Sequence, residues 1–213
     1  MSEFKIRILT SLLLIIILFF SLKNYFILLI VLFSITFILL SEFNNIFMKI
    51  FKKKKLPHLL LIIISTLYLF YFSLSILFFL NFENYDNKII LLFLLCISIS
   101  TDIGGFCFGK VLKGKKLTKI SPNKTYSGLI GSLFVSLLVS IIFFRNVNLP
   151  FNYLAITVIL SIISQIGDLL ISFLKRKAKI KDTGKFLPGH GGLLDRFDGI
   201  LFAVPVGLII ISL

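Results

Sequence analysis

Residues 172–198 read SFLKRKAKIKDTGKFLPGHGGLLDRFD. This stretch holds seven of the chain's 23 Lys and Arg: Lys175, Arg176, Lys177, Lys179, Lys181, Lys185 and Arg196. Three of the nine acids, Asp182, Asp195 and Asp198, lie among them, together with four glycines and Pro188. On both sides the sequence is almost wholly apolar. Charge-dense chemistry wedged between two apolar segments implies a polar site held against a membrane.

The rest of the chain agrees. A mean hydropathy of +1.05, 58% hydrophobic residues and 25 Phe exclude an ordinary soluble domain. About 20 apolar residues cross the hydrocarbon core as a helix. On that yardstick about seven spans are expected, at 8–22, 25–41, 59–80, 89–101, 128–144, 152–174 and 197–213. The fourth is short and is expected to continue through Gly104, Gly105 and Phe106. Lys5 and Arg7 precede the first span as they would in a signal peptide, but no small-residue cleavage site follows and Tyr25 opens another apolar run. A retained helix is therefore expected. The fold class is all-α and polytopic. N-terminal helices over 1–97 and a polar, candidate catalytic region over 98–213 form one membrane domain.

A net charge of +14 would suggest nucleic acid in a soluble protein. Its distribution argues for a membrane instead, with no nucleic-acid partner. With the N-terminus inside, inward-facing segments hold 20 of the 23 cations, and Lys23, Lys88 and Arg145 alone face outward. This is the positive-inside asymmetry, and it predicts a cytoplasmic N-terminus. The excess also suits anionic headgroups or a polyphosphate. The Lys52–Lys55 run reads as a topogenic anchor. Cys96 and Cys107 lack any paired spacing and read as small core residues, and His58 stands alone at a helix start.

Three polar clusters fall on the inward side. The first is Asp102 with Gly104, Gly105, Gly109 and Lys110. An acid within an apolar helix costs about 2.5–3.5 kcal/mol on insertion scales, so such residues face a cavity or a partner. Neighbouring glycines let a helix or a ligand approach the backbone closely. The second, Ser121-Pro122-Asn123-Lys124-Thr125-Tyr126-Ser127-Gly128, precedes the fifth span. Its Ser and Thr suit helix capping, while free N–H groups with a Lys also suit an anion. The third starts within the sixth span, where Ser164, Asp168, Ser172 and Arg176 recur every four residues and share one helix face. Asp195 and Asp198, three apart, are expected on one face at the start of the last span. Converging carboxylates suit Mg²⁺, which shares oxygen ligands with substrate phosphates, and nearby Lys and Arg suit the remaining phosphate charge. His190 sits in Pro188-Gly189-His190-Gly191-Gly192, a turn that can wrap a phosphate or a base, or hydrogen-bond within itself.

Nucleotide-loop matches do not hold. Residues 109–116, GKVLKGKK, put Lys116 where Ser or Thr must ligate Mg²⁺, and 104–111 fail likewise at Val111. Neither follows a strand.

One long signature remains. Ser172-x-Leu174-Lys175-Arg176, then Lys181-Asp182, Leu187-Pro188-Gly189-His190-Gly191-Gly192 and Leu194-Asp195-Arg196-Phe197-Asp198 resembles that of the phosphatidate cytidylyltransferases, the CDP-diacylglycerol synthases. The Asp102 glycine-rich segment, Ser121-Pro122-x-Lys124-Thr125 with Gly128 and Gly131, and Gly167-Asp168-Leu169 resemble the family in the same order. The likeness covers roughly 98–210, while residues 1–97 share only hydrophobic spans. Two positions depart: Ser127 replaces a common acid or amide, and Ile171 a common Glu.

The resemblance implies the reaction of CTP with phosphatidate to give CDP-diacylglycerol and pyrophosphate, with Mg²⁺, at the cytoplasmic face of the cell (inner) membrane, and it implies a homodimer. It implies that Asp168, Asp195, Asp198 and Asp102 gather the metal, and that Lys175, Arg176, Lys181 and Arg196 hold phosphates. Ser121, Lys124, Thr125, Ser172 and Asp182 are expected to bind substrate, as is the turn of Gly189, His190, Gly191 and Gly192. The alternatives are a CTP-dependent cytidylyltransferase or kinase acting on another membrane lipid and, in a different class, an anion transporter.

Overall fold

The computed structural model describes residues 3–52, 54–80, 85–118, 121, 124–146, 152–189 and 191–212. Eight helices occur among them: α1 Glu3–Lys23, α2 Tyr25–Phe51, α3 Lys55–Phe79, α4 Tyr85–Leu112, α5 Tyr126–Asn146, α6 Tyr153–Lys177, α7 Leu194–Phe197 and α8 Ile200–Ser212. No strand appears among the described residues, only two isolated bridges in loops.

Six helices, α1 to α6, are long and apolar enough to cross a membrane; α8, at 13 residues, is shorter. The expected fourth span does run on through the glycines, as far as Leu112. Phe26, Phe33, Phe37, Phe70 and Ile130 are exposed on these helices. Such extended apolar surface is what a lipid-facing helix presents and a water-facing one avoids.

The chain forms two compact units, one of residues 1–84 with 174–196, the other of 85–173 with 197–213. The boundary expected near residue 97 lies inside α4, which runs through it unbroken.

In the first unit, a single residue separates α1 from α2. Asn24 caps α2, its Oδ1 accepting from the N–H groups of Phe26 (2.9 Å) and Ile27 (3.3 Å). Leu32, Leu39, Phe43, Ile46 and Phe47 of α2 are buried, as are Leu69, Phe72 and Ile76 of α3. Their helical spacing gives each helix one inward stripe. A hydroxyl pair, Thr36 and Ser73 at 2.7 Å, ties α2 to α3.

The second unit is held by small residues. A Cβ on Gly104 would stand 2.6 Å from the Gly131 carbonyl oxygen, and one on Gly105 2.8 Å from Ser132 Oγ. The glycines of the first polar cluster thus let α4 and α5 touch backbone to backbone. Ser132 donates to the Thr101 carbonyl at 2.8 Å, Thr101 to Ser161 at 3.1 Å, and Thr157 to Ser140 at 2.7 Å, so hydroxyls link α4, α5 and α6. Phe93, Leu94, Ile97, Leu160, Leu201 and Val204 fill the centre. Gly207 fits against Leu94 and Leu160, and Gly199 against Ser164.

Candidate functional site

The basic stretch begins where α6 ends. Lys179 adopts φ 58°, and the Ile180 N–H reaches back to the Lys175 carbonyl at 3.0 Å, which closes the helix. The chain then makes a tight reversal, with Leu187 and Gly191 exchanging backbone hydrogen bonds of 2.9 and 3.1 Å. Gly189 (φ 76°) and Gly191 (φ 88°) occupy the left-handed region that such a turn requires. His190 lies outside the described residues.

Two carboxylates hold this loop. Asp195 Oδ1 accepts from Lys175 Nζ at 2.7 Å, and its Oδ2 accepts from the N–H groups of Thr183 (2.8 Å) and Gly192 (3.1 Å). Glu42, on α2, is the second. Its Oε1 accepts from the Leu193 N–H at 2.9 Å and its Oε2 from the Leu194 N–H at 2.8 Å. Thr183 Oγ1 lies 2.6 Å from Glu42 Oε2 and 3.0 Å from Asp195 Oδ2, so its single proton is shared between the two acids. Gly192 must be glycine, because a Cβ there would stand 2.6 Å from the Gly184 nitrogen and 2.7 Å from Glu42 Oε2.

The same loop lines a cavity of about 220 Å³ with Lys181, Asp182, Gly189, Gly191 and Arg196, joined by Arg7 from α1. Three cations against one carboxylate make it electropositive. Arg176 is exposed in the last turn of α6.

In the second unit Lys124 Nζ pairs with Asp168 Oδ2, while Ser172 donates to Asp168 Oδ1 at 3.3 Å. A short antiparallel turn positions Lys124: the Leu117 N–H donates to its carbonyl at 2.7 Å and its own N–H donates to the Ser121 carbonyl at 3.1 Å. Thr125 caps α5, its Oγ1 accepting from the Gly128 N–H at 3.1 Å, so capping describes that residue well. Pro122 and Asn123 lie outside the described residues.

Asp198 is buried in the turn ahead of α8 and hydrogen-bonded to Asp168, with its Oδ1 accepting from the Gly199 N–H at 2.9 Å. Burial first, then the charges of Asp168 and Asp102, push its carboxyl up to about 8. Asp195 and Asp198 were expected on one face at the start of the last span. They are instead separated by a break, since α7 ends at Phe197 and α8 begins at Ile200. The break accommodates Gly199, which packs against Ser164 too closely to carry a side chain.

Among the described residues no group of three or more His, Cys, Asp or Glu stands ready to hold a metal ion. Asp168 and Asp198 do form a pair, and Mg²⁺ is commonly bound by one or two carboxylates with phosphates and water completing its shell. The pair's chemistry therefore fits that ion. Asp195, also expected among its ligands, has both oxygens engaged by Lys175 and the loop, just as Asp168 has its two engaged by Lys124 and Ser172.

Glu42, Thr183 and the placement of Arg7 at the cavity went unread in the sequence. Glu42 carried a signal, since it is the only acid in the 27 residues of α2. The cost argument that singles out Asp102 applies to it equally.

Curated relatives carry the name phosphatidate cytidylyltransferase. One from Bacillus subtilis (strain 168) is 42% identical over 146 residues, 66% of this chain and 54% of the relative. One from Staphylococcus haemolyticus (strain JCSC1435) is 49% identical over 110 residues, 50% of this chain and 42% of the relative. A third, from Rickettsia felis (strain ATCC VR-1525 / URRWXCal2), is 43% identical over 143 residues, 62% of this chain and 63% of the relative. The chain thus spans about half the length of the curated relatives it matches. The sequence profile of the Cytidylyltransferase family matches residues 2–213, and the chain belongs to that family.

Proposed function

We propose that the chain is a phosphatidate cytidylyltransferase, joining CTP and phosphatidate into CDP-diacylglycerol with release of pyrophosphate. The family match over nearly the whole chain carries this reading. The electropositive loop cavity and the Asp168–Asp198 pair support it, because the reaction needs both phosphate-binding cations and carboxylates.

An oxygen of the lipid phosphate attacks the α-phosphorus of CTP. A new P–O bond forms there as the bond to the β-phosphate oxygen breaks, and pyrophosphate leaves in line. The attacking phosphate is already ionised near pH 7, so no general base is required. Positioning and charge neutralisation then supply the rate. Lys181 and Arg196 hold phosphate oxygens, and Asp195 with Lys175 keeps the loop that presents them in shape. Lys124 neutralises and orients Asp168, and Ser172 fixes its other oxygen. Mg²⁺, held by Asp168 and Asp198 with Asp102 nearby, would offset charge on the triphosphate when bound.

The positive-inside asymmetry supports an N-terminus in the cytoplasm with the site facing CTP there; residence in the cell membrane as a homodimer rests on the family resemblance alone. The test is direct. Protein in lipid nanodiscs is incubated with labelled CTP, phosphatidate and Mg²⁺, and CDP-diacylglycerol and pyrophosphate are measured. Folded protein that forms neither would overturn the reading. Turnover with a different phospholipid or polyprenol in place of phosphatidate would move the substrate, and anion flux without turnover would make it a transporter.

A further inference from the structure

The positive-inside pattern assigns Arg7 a topogenic role, yet the structure gives that residue a second position. Its Cγ lies over Gly189, where a Cβ would stand 3.0 Å away, with Ile6 Cγ2 at 3.4 Å. The missing side chain of the turn thus seats the stem of Arg7 against the loop. Beyond it the cavity opens, lined by Arg7, Lys181, Arg196 and Asp182. Its volume of about 220 Å³ is well above the roughly 10–15 Å³ that holds one water. That is room for a phosphate group with part of its hydration. The lining carries two more positive than negative charges, and two of its cations are guanidinium groups, whose planar forks match phosphate oxygens in pairs.

We propose that Arg7, reaching from the first helix over Gly189, is a phosphate-binding residue that completes an anion pocket with Lys181 and Arg196. The ligand class is a phosphate group, of a nucleotide or of a lipid headgroup. Its assignment to a substrate rests on the reading under Proposed function, but the pocket does not. A bound phosphate would bridge the start of α1 to the loop within the first unit, so the pocket would also order α1.

The probe is inorganic pyrophosphate, titrated calorimetrically into the protein in nanodiscs at low salt, alongside KM values for CTP and phosphatidate. Arg7→Gln should weaken pyrophosphate binding roughly 10- to 150-fold, as expected for a charge-assisted hydrogen bond. Arg7→Lys should fall between it and the wild type, keeping the charge and losing the fork. Lys5→Gln, which removes a neighbouring topogenic charge outside the pocket, should bind as the wild type does. A rise in KM for CTP alone would identify a nucleotide phosphate, and a rise for phosphatidate alone a lipid one. The proposal is overturned if Arg7→Gln leaves binding and both KM values unchanged, or if Lys5→Gln weakens them equally. Should Arg7→Gln fail to insert, Arg7→Lys decides, since it keeps the topogenic charge; binding equal to wild type sinks the pocket. Pyrophosphate binding through Arg7 without turnover would keep the pocket and reject the enzyme reading. Turnover with unaltered Arg7→Gln parameters would do the reverse.

Discussion

Replacing Glu42 tests whether a residue on α2 organises a loop some 150 positions later. Glu42 is 3% exposed and takes three hydrogen bonds, from Thr183 Oγ1 and the N–H groups of Leu193 and Leu194. Glu42→Ala removes all three acceptors. Thr183 keeps a partner in Asp195 Oδ2 at 3.0 Å, so two buried amides are orphaned. Each orphan costs about 1–3 kcal/mol, which predicts roughly 2–6 kcal/mol for the loop. Glu42→Gln keeps one oxygen. Turned toward Leu194 and Thr183, the amide leaves Leu193 N–H facing an NH₂ group, and the cost falls to about 1–3 kcal/mol. Hydrogen exchange in nanodiscs reads this directly. Protection of the 193 and 194 amides should drop about 30-fold for every 2 kcal/mol, in the order wild type, Gln, Ala. Unchanged protection in Glu42→Ala would refute the claim that Glu42 holds the loop.

Gly104→Ala should destabilise the second unit by about 1–3 kcal/mol, since its Cβ would meet the Gly131 carbonyl oxygen at 2.6 Å; thermal unfolding in nanodiscs measures it. Asp198 predicts a pH dependence in metal-free buffer. Its carboxyl titrates near 3.8 unfolded and is pushed up to about 8 in the fold, so its contribution to stability is full below pH 3.8 and is lost as pH rises toward 8. Asp198→Asn should remove that slope in unfolding scans between pH 4 and about 8. If Asp168 and Asp198 hold Mg²⁺, adding it at pH 8 should raise the wild-type unfolding temperature and leave that of Asp198→Asn unmoved. Asp195→Asn should lose turnover together with loop protection, because Lys175 and two backbone amides share that carboxylate; full activity would remove Asp195 from the machinery.

The sequence alone determined the membrane class and the six long helices. Hydropathy averaged over about 20 residues is a large, local signal, and backbone groups in lipid must be satisfied within the helix. It also pointed to residues that could carry chemistry, because a charge in an apolar stretch is costly enough to stand out, as at Asp102, and because Asp168 recurs with Ser164, Ser172 and Arg176 on one helix face. Glycines 104, 105 and 109 were legible as a close approach, but not whether helix or ligand makes it. Partners across long separations were decided only by the tertiary structure. Nothing in the spacing of residue 42 or residue 7 points to residues 183–196, since a hydrogen bond or a shared cavity depends on position in space and leaves no period in the chain. Tertiary packing also set the roles of two similar acids three residues apart. Lys175 and the loop amides satisfy Asp195, whereas Asp198 is buried beside Asp168, and that difference in surroundings, not in residue type, sets the two carboxylates apart.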